Sequence, residues 1–198
     1  MERKGFFICI EGLDKSGKTS QSILLVEALC KKGFDAVYTT EPSDGEIGEF
    51  IRNYILHRKD RASPVIEALL FAADRADHVE NEIKPMLAKG KVVVSDRYIY
   101  SSLAYQGAAG LNLNWIEEIN KHAIKPDMAL YIDVPVENLL QRYNKEKSVM
   151  ERLETQRKVA EIYVKLVRDG RLIRVDGERS METAAKDIQA MVLDRLKS

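Results

Sequence analysis

The chain has 198 residues, 45% of them hydrophobic, so it is long enough to bury a large core within one domain. Its 31 basic and 31 acidic residues give a formal net charge of zero. That balance argues against a nucleic-acid binder, since such proteins carry a basic excess. With no signal peptide or long apolar run, we expect a cytoplasmic protein without membrane contact. Cys9 and Cys30 are expected to be small buried hydrophobic residues, with no disulfide or metal site.

A glycine-rich segment, Gly12–Thr19, lies between a predicted strand and a predicted helix near the start of the chain. It has the pattern G-x-x-x-x-G-K-[ST], in which backbone N–H groups and the start of a helix bind phosphate. In this pattern Lys18 reaches the β- and γ-phosphates and the Thr19 hydroxyl holds Mg²⁺. The segment, called the phosphate loop below, therefore predicts a site for a nucleoside triphosphate.

The hydrophobic period alternates between strand and helix along the whole chain. Five strands are predicted, at 6–10, 36–39, 91–95, 128–132 and 171–175. Helices are predicted at 21–29, 47–56, 64 to about 88, 115–123, 137–143, 153–167 and 181–196. The first helix is expected to bury Ile23, Val26 and the Leu29–Cys30 pair, and Asn114 to cap the helix at 115–123. Alternating strands and helices predict one α/β domain, 1–198, with a five-stranded parallel sheet and helices on both faces.

An aspartate follows directly after two of the predicted strands: Asp96 after 91–95 and Asp133 after 128–132. Ligands collect at the carboxyl ends of strands in such sheets, so either carboxylate could orient Mg²⁺. Asp96 is followed by Arg97, whose guanidinium suits a second phosphate, whereas Val134-Pro135 after Asp133 offers no such donor. We therefore assign the metal role to Asp96, together with Thr19, and expect Asp133 to be structural.

Two further segments carry side chains that could bind a nucleotide. Phe71 and Arg75 lie four residues apart on one helical face, where they could hold a base and its phosphate. Taken alone, this pair favours the simpler interpretation, with Phe71 in the core and Arg75 in solvent. Tyr105 and Gln106 add a ring and an amide whose donor and acceptor suit the edge of a base.

Taken together, these motifs resemble thymidylate kinase in order, spacing and total length. The resemblance rests on Glu11–Thr19, Leu70–Arg75, Asp96-Arg97-Tyr98, Ser101, Ala104–Gly107 and Lys125-Pro126-Asp127. It covers nearly the whole chain, and other nucleoside monophosphate kinases share the phosphate loop but not this set. It implies a three-layer P-loop NTPase fold and a homodimer. It also implies phosphoryl transfer from ATP, with Mg²⁺, to dTMP, giving dTDP and ADP.

The resemblance also implies roles on the donor side. ATP would be bound by Gly12, Leu13, Asp14, Lys15, Ser16, Gly17, Lys18 and Thr19. Lys15 would add a catalytic charge to that of Lys18, with Asp96 and Arg97 beside the metal and the acceptor.

On the acceptor side, the resemblance implies that Asp14 hydrogen-bonds the 3′-hydroxyl of the sugar and that Phe71 stacks on thymine. Arg75 and Arg97 would hold the acceptor phosphate. The thymine and sugar pocket would be lined by Ser102, Tyr105 and Gln106. The ring of Tyr105 would disfavour a 2′-hydroxyl.

The sequence departs from the family pattern at two places. Thr40-Glu41-Pro42 keeps the Glu-Pro of the family but lacks its preceding arginine, so one acceptor-phosphate contact is lost or supplied elsewhere. The lid is expected at about 142–154, with Arg142 as a catalytic residue at its start. Val149-Met150 stands in place of the family's usual Arg-aromatic-Glu. Two interpretations stay open: Arg152 takes the role of the missing arginine, or the segment is only the solvated start of a helix.

Two other functions stay open at this point. A kinase for dUMP, another nucleoside monophosphate or a nucleoside would differ in the pocket around the 5-methyl group, which the sequence does not reveal. A regulatory P-loop ATPase or GTPase would use the loop to change conformation. GTPases typically recognise guanine through the motif Asn-Lys-x-Asp. The segment at 144–147, Asn-Lys-Glu-Lys, lacks the aspartate, so the sequence does not support guanine specificity.

Overall fold

The computed structural model describes residues 5–56, 62–140 and 149–197. Five strands form one sheet in the order β2-β3-β1-β4-β5, and every neighbouring pair is parallel. They are β1 (Phe6–Gly12), β2 (Ala36–Thr40), β3 (Val92–Asp96), β4 (Met128–Asp133) and β5 (Ile173–Asp176). The sheet confirms the predicted fold class, and each strand begins and ends within two residues of its predicted limits.

Within the described ranges every predicted helical stretch contains a helix, but the helix at Ile99–Ala108 was not predicted. The helices are α1 (Lys18–Lys31), α2 (Glu46–Phe50), α3 (Pro64–His78), α4 (Lys84–Ala88), α5 (Ile99–Ala108), α6 (Leu113–Ile119), α7 (Val136–Leu140), α8 (Val149–Arg168) and α9 (Met181–Lys197). A π-helical segment, Ile51–Leu56, continues α2, and another, Val79–Ile83, joins α3 to α4. Within these ranges, no helix has both the length and the apolar character needed to cross a bilayer.

Helices cover both faces of the sheet. The connection from β1 to β2 crosses the sheet in one direction, and the later connections cross it in the other. Because such crossovers are right-handed, α1 lies on one face and α3, α5 and α8 lie on the opposite face. The helix contacts agree, since α1 packs against α9 while α5 packs against α3, α6 and α8. The result is the predicted three-layer arrangement, with β1, β3 and β4 in the centre of the core.

The strand register brings the residues that follow three adjacent strands to one edge of the sheet. Ile10 and Thr40 are both register partners of Asp96. The Arg97 N–H donates to the carbonyl of Ile10 (3.0 Å), and the Glu41 N–H donates to the carbonyl of Asp96 (3.0 Å). The start of the phosphate loop, Arg97 and Glu41 therefore lie side by side at the carboxyl edge.

Part of the predicted inner face of α1 is wrong. Ile23 is 43% exposed, whereas Leu25 and Leu29, four residues apart, are buried. The buried face of α1 is therefore rotated about the helix axis relative to the predicted face. Cys30 lies on the outer side and is exposed, while Cys9 is buried as predicted and both thiols are free.

The predicted cap of α6 is also wrong. The side chain of Asn112, not Asn114, accepts hydrogen bonds from the backbone N–H groups of Asn114 (2.8 Å) and Trp115 (3.2 Å). Asn112 has the extended backbone that an N-cap requires, so α6 begins at Leu113.

Candidate active site

The phosphate loop turns tightly between β1 and α1. A Cβ atom on Gly12 would come within 2.5 Å of the Ser16 hydroxyl and 3.0 Å of the Ile132 carbonyl, so only glycine fits there. Gly17 has a φ of 97°, and the exposed Lys15 also has a left-handed backbone, with a φ of 66°. No side chain caps α1, so its first N–H groups form the kind of anion site that binds phosphate.

Lys18 is buried beneath this loop. Its Nζ donates to the carbonyl of Leu13 at 2.8 Å. Burial lowers the pKa of Lys18 to about 8, and the charge of Arg97 also lowers it, while Asp96 and Asp14 oppose the shift. A phosphate bound at the loop would favour the charged form of Lys18 and raise its pKa again.

Thr19 and Asp96 meet across the site. The Thr19 hydroxyl donates to Asp96 Oδ2 at 2.5 Å. Asp96 Oδ1 is buried and has no hydrogen-bond partner in the described part of the chain. A hydroxyl and a carboxylate with an unused oxygen are hard ligands of the kind that Mg²⁺ takes together with water and phosphate oxygens. Within the described ranges, no group of three or more His, Cys, Asp or Glu side chains could hold a metal ion.

Asp133 has a different environment. Its carboxylate accepts a hydrogen bond from Arg174 Nε at 2.6 Å, and the Arg174 side chain is 62% exposed. This peripheral ion pair on β4 and β5 supports the structural interpretation of Asp133.

Arg97 reaches the phosphate loop from the end of β3. Its φ of 74° lies in the left-handed region, which is uncommon for a residue with a side chain. Its Nη2 forms an ion pair with Asp14, and its Nη1 donates to the Ser101 hydroxyl at 3.0 Å. The guanidinium also lies 5.1 Å from the centre of the Tyr105 ring. Four of the predicted side chains, those of Asp14, Asp96, Arg97 and Tyr105, are therefore gathered beside the loop.

Arg75 lies in the interior, so the solvated interpretation is wrong. It is 2% exposed, and its Nη2 donates to Glu41 Oε2 at 2.5 Å. Its Nη1 donates to Asn120 Oδ1 at 2.6 Å and to the Ser102 hydroxyl at 3.1 Å. A buried guanidinium needs such a counter-charge. The contact with Ser102 joins Arg75 to the predicted acceptor pocket.

Glu41 also faces a second buried cation. Its Oε1 lies 3.3 Å from His78 Nδ1, while His78 Nε2 lies 2.7 Å from the Thr39 hydroxyl and 3.7 Å from Glu82. Although burial lowers the pKa of His78, its hydrogen bonds with Glu41 and Glu82 raise that pKa to about 9. His78 is therefore protonated at neutral pH, and Glu41 lies between two cations.

The remaining predicted pocket residues lie on α3 and α5, which pack together. Gln106 is 5% exposed, and its Oε1 has no hydrogen-bond partner among the described residues. It lies one helical turn after Ser102 on α5. Phe71 is half-buried on α3, one turn before Arg75. These positions are compatible with a common pocket between the two helices.

A cavity of about 230 Å³ lies beside the phosphate loop. It is lined by Ser16, Gly17, Ser20, Gln21, Ile132, Gly177, Arg179, Met181 and Ala184. Because Ser16 and Gly17 belong to the loop, the cavity adjoins the place where phosphates would bind.

Comparison with known proteins agrees with this geometry. A family model described as thymidylate kinase matches residues 10–188. The chain belongs to the thymidylate kinase family. It is 45% identical over 201 residues to a probable thymidylate kinase of Pyrococcus abyssi, an alignment that covers 98% of each chain. It is 40% identical over 205 residues to the thymidylate kinase of Caldanaerobacter subterraneus and 38% identical over 198 residues to a probable thymidylate kinase of Staphylothermus marinus, again covering 98% of each chain.

Not every predicted residue of this family's site falls in the described part of the chain. Arg142 and the first part of the predicted lid lie outside the described residues, and α8 begins at Val149. The roles assigned to the individual side chains stay predictions.

Sequence reasoning missed the residues that hold the site side chains in place, above all Glu11, His78 and Asn120. Two of them did leave a signal in the sequence. Glu11 is a charged residue at the end of an otherwise apolar strand, and His78 follows Arg75 by three residues, on the same helical face. Asn120 is far from Arg75 in sequence, and no pattern around it indicates that the two side chains meet.

Proposed function

We propose that this chain transfers the γ-phosphoryl group of ATP to dTMP, giving dTDP and ADP, with Mg²⁺ as cofactor. The observation that carries the proposal is the ion pair between Arg97 and Asp14. It joins an arginine suited to an acceptor phosphate to the loop that suits donor phosphates. Membership of the thymidylate kinase family supports dTMP as the acceptor.

In this proposal the protein positions the phosphates and neutralises their charge. Phosphoryl transfer needs little covalent chemistry, and an acceptor phosphate is already largely ionised near neutral pH, so no general base is required. Lys15, Lys18 and Arg97 neutralise the charge on the phosphoryl group in flight. Thr19 and Asp96 would hold Mg²⁺, which screens charge on phosphate oxygens when bound.

Arg97 is the principal ligand of the acceptor phosphate in this proposal. Arg75 is proposed to contribute a second charge there, although its Nη2 is already paired with Glu41 at 2.5 Å, and it supports the pocket through Ser102. Asp14 accepts a hydrogen bond from the 3′-hydroxyl, and Phe71 stacks on thymine. The pocket is lined by Ser102, Tyr105 and Gln106.

The nucleoside part of ATP is assigned to the cavity beside the phosphate loop. The cavity continues from Ser16 and Gly17, and its mixed polar and apolar lining suits a base and a ribose. Arg142, from the lid segment, is proposed to add a further charge over the donor phosphates.

The pH dependence of ATP binding should report the ionisation of Lys18. Because burial lowers the pKa of Lys18 to about 8, the free enzyme loses this charge as the pH rises above that value. KM for ATP should therefore be flat at neutral pH and then rise, approaching about tenfold per pH unit. His78 has a pKa of about 9 but lies on the acceptor side, so its titration should appear in KM for dTMP. A KM for ATP that stays constant from neutral pH to well above pH 8 would contradict this role of Lys18.

We further propose that the chain forms a homodimer and acts in the cytoplasm. Val65, Ile66 and Leu69 on α3 are 44%, 51% and 47% exposed, an apolar surface that a second copy could cover.

Ile66→Asp should convert the dimer to a monomer in sedimentation velocity, because it would place an unpaired charge at the contact. The matched control is Ile23→Asp, on the exposed side of α1, which should leave the dimer intact. A wild-type chain that is monomeric at micromolar concentration contradicts this part of the proposal.

The activity itself is tested with ATP, Mg²⁺ and a panel of acceptors in an assay that couples ADP formation to NADH oxidation. The panel comprises dTMP, dUMP, UMP, dGMP and thymidine. We expect the highest kcat/KM with dTMP and no turnover with thymidine, which lacks the phosphate that Arg97 would hold. Turnover with another acceptor and none with dTMP would reject the proposal. ADP formation that is independent of any acceptor would instead favour a regulatory NTPase.

A further inference from the structure

Glu11 is a fully buried carboxylate at the end of β1, directly before the phosphate loop. Its Oε1 accepts hydrogen bonds from the backbone N–H groups of Tyr98 (2.8 Å) and Ser101 (3.2 Å). Its Oε2 accepts hydrogen bonds from the hydroxyls of Ser101 (2.6 Å) and Tyr163 (2.9 Å). Four donors thus converge on one side chain, the number a buried carboxylate needs to replace its water.

Two of these bonds cap α5 from a neighbouring strand. Tyr98 is the N-cap residue of α5, and no side chain of the helix itself caps it. Glu11 therefore supplies the acceptor that an N-cap side chain usually provides. The capped backbone begins one residue after Arg97, whose left-handed conformation persists only if the surrounding structure holds it.

A third bond, from the Ser101 hydroxyl, connects Glu11 to the guanidinium of Arg97. The Ser101 hydroxyl donates its proton to Glu11 and, through its lone pair, accepts from Arg97 Nη1 at 3.0 Å. Glu11 thus orients the hydroxyl so that its lone pair faces the arginine. Backbone and guanidinium of Arg97 are therefore both fixed through one carboxylate.

Tyr163 adds a constraint from α8, on the same face of the sheet. Its ring stacks on that of Tyr131, with centroids 4.7 Å apart and planes 17° from parallel. Burial raises the pKa of the Tyr163 hydroxyl well above its usual value, so the group stays protonated and donates to Glu11. Burial also raises the pKa of Glu11, whereas its bonds from Ser101 and Tyr163 oppose that shift.

We propose that Glu11 is a positioning residue for Arg97, and that Tyr163 holds Glu11 in the orientation that this requires. The inference rests on the proposed function, in which Arg97 holds the acceptor phosphate. A role in stability alone would lower the melting temperature and leave the kinetics of the folded enzyme unchanged. A positioning role changes turnover and dTMP binding while ATP binding stays the same.

Tyr163→Phe is the mildest test, because it removes one hydroxyl and keeps the stacked ring. The matched control is Tyr131→Phe, since the Tyr131 hydroxyl is buried in the same stack but has no hydrogen-bond partner among the described residues. Tyr163→Phe should lower kcat/KM for dTMP by about three- to tenfold, the effect of losing one ordinary hydrogen bond, because its influence on Arg97 passes through Glu11. KM for ATP should not change, and Tyr131→Phe should behave as wild type. Glu11→Gln, which replaces one acceptor oxygen with an NH₂ group, should have a larger effect of the same kind.

A double-mutant cycle decides whether the effect passes through Arg97. Arg97→Lys retains the charge but not the fork that reaches Ser101, so Tyr163→Phe should have little further effect in that background. Full additivity of the two changes would overturn the inference. So would an unchanged kcat/KM in both Tyr163→Phe and Glu11→Gln, or a loss confined to KM for ATP. If the wild-type chain itself fails to phosphorylate dTMP, the proposed function fails first, and that result is separate from any of these.

Discussion

Arg97→Ala should lower kcat for phosphoryl transfer by about 10³-fold, the smaller of the effects seen when an arginine that stabilises a transferring phosphoryl group is removed. The loss should fall on turnover and on dTMP binding, since Arg97 is assigned to the acceptor. ATP binding should be retained, because Lys18 and the loop backbone are unchanged. Removal of the Arg97 charge also relieves one cause of the low Lys18 pKa, so the rise of KM for ATP should move to higher pH.

The measurement pairs steady-state kinetics with calorimetric titration of ATP. Arg174→Ala is the control, because that arginine lies within β5 and pairs with Asp133 at the surface. Arg174→Ala should leave kcat and the affinity for ATP nearly unchanged. An Arg97→Ala enzyme that loses ATP affinity and keeps its turnover would show that Arg97 serves the donor and not the acceptor.

Glu41→Gln should be the most destabilising of the substitutions considered, with a loss of about 3–5 kcal/mol in the free energy of unfolding. The change keeps the shape of the side chain but leaves the buried cations Arg75 and His78 without their shared carboxylate. Urea denaturation at neutral pH measures the loss. The matched control is Glu82→Gln, which removes the half-buried carboxylate 3.7 Å from His78 and should cost at most about 1 kcal/mol.

The same pair of variants predicts a pH dependence of stability. The pKa of His78 is raised from 6.5 in the unfolded chain to about 9 in the fold. Its stabilising contribution is therefore fully present below about pH 6.5 and is lost as the pH rises towards 9. The free energy of unfolding of the wild type should fall across this interval, and the decline should be much weaker in Glu41→Gln. An equal decline in both proteins would contradict the charged His78–Glu41 pair.

Local patterns were sufficient to predict the fold class and the five strands, whereas the helix α5 was missed. The apolar run of β3 and the turn chemistry of the phosphate loop each depend on residues adjacent in sequence. Errors arose where the choice depended on packing. Ile23 and Leu25 are equally apolar, and only the contacts of α1 with the sheet and α9 determine which is buried.

The candidate site was predictable as a set of residue types, but not as a network. Arg75 and Glu41 are 34 positions apart, and nothing in either local sequence indicates that they pair. Tyr163 lies 152 positions from Glu11, and only the packing of α8 in the folded chain brings them together. Long-range polar pairs of this kind follow from tertiary packing, which periodicity does not encode.

If donor and acceptor phosphates meet at the phosphate loop, the γ-phosphoryl group of ATP passes directly to dTMP, and its fate can be followed with a label. The chain is incubated with Mg²⁺, dTMP and ATP labelled at the γ-phosphate, and the products are separated by chromatography. We expect label in the β-phosphate of dTDP, in proportion to the ADP formed and only when dTMP is present. Label released as inorganic phosphate at the same rate with and without dTMP would contradict this direct transfer.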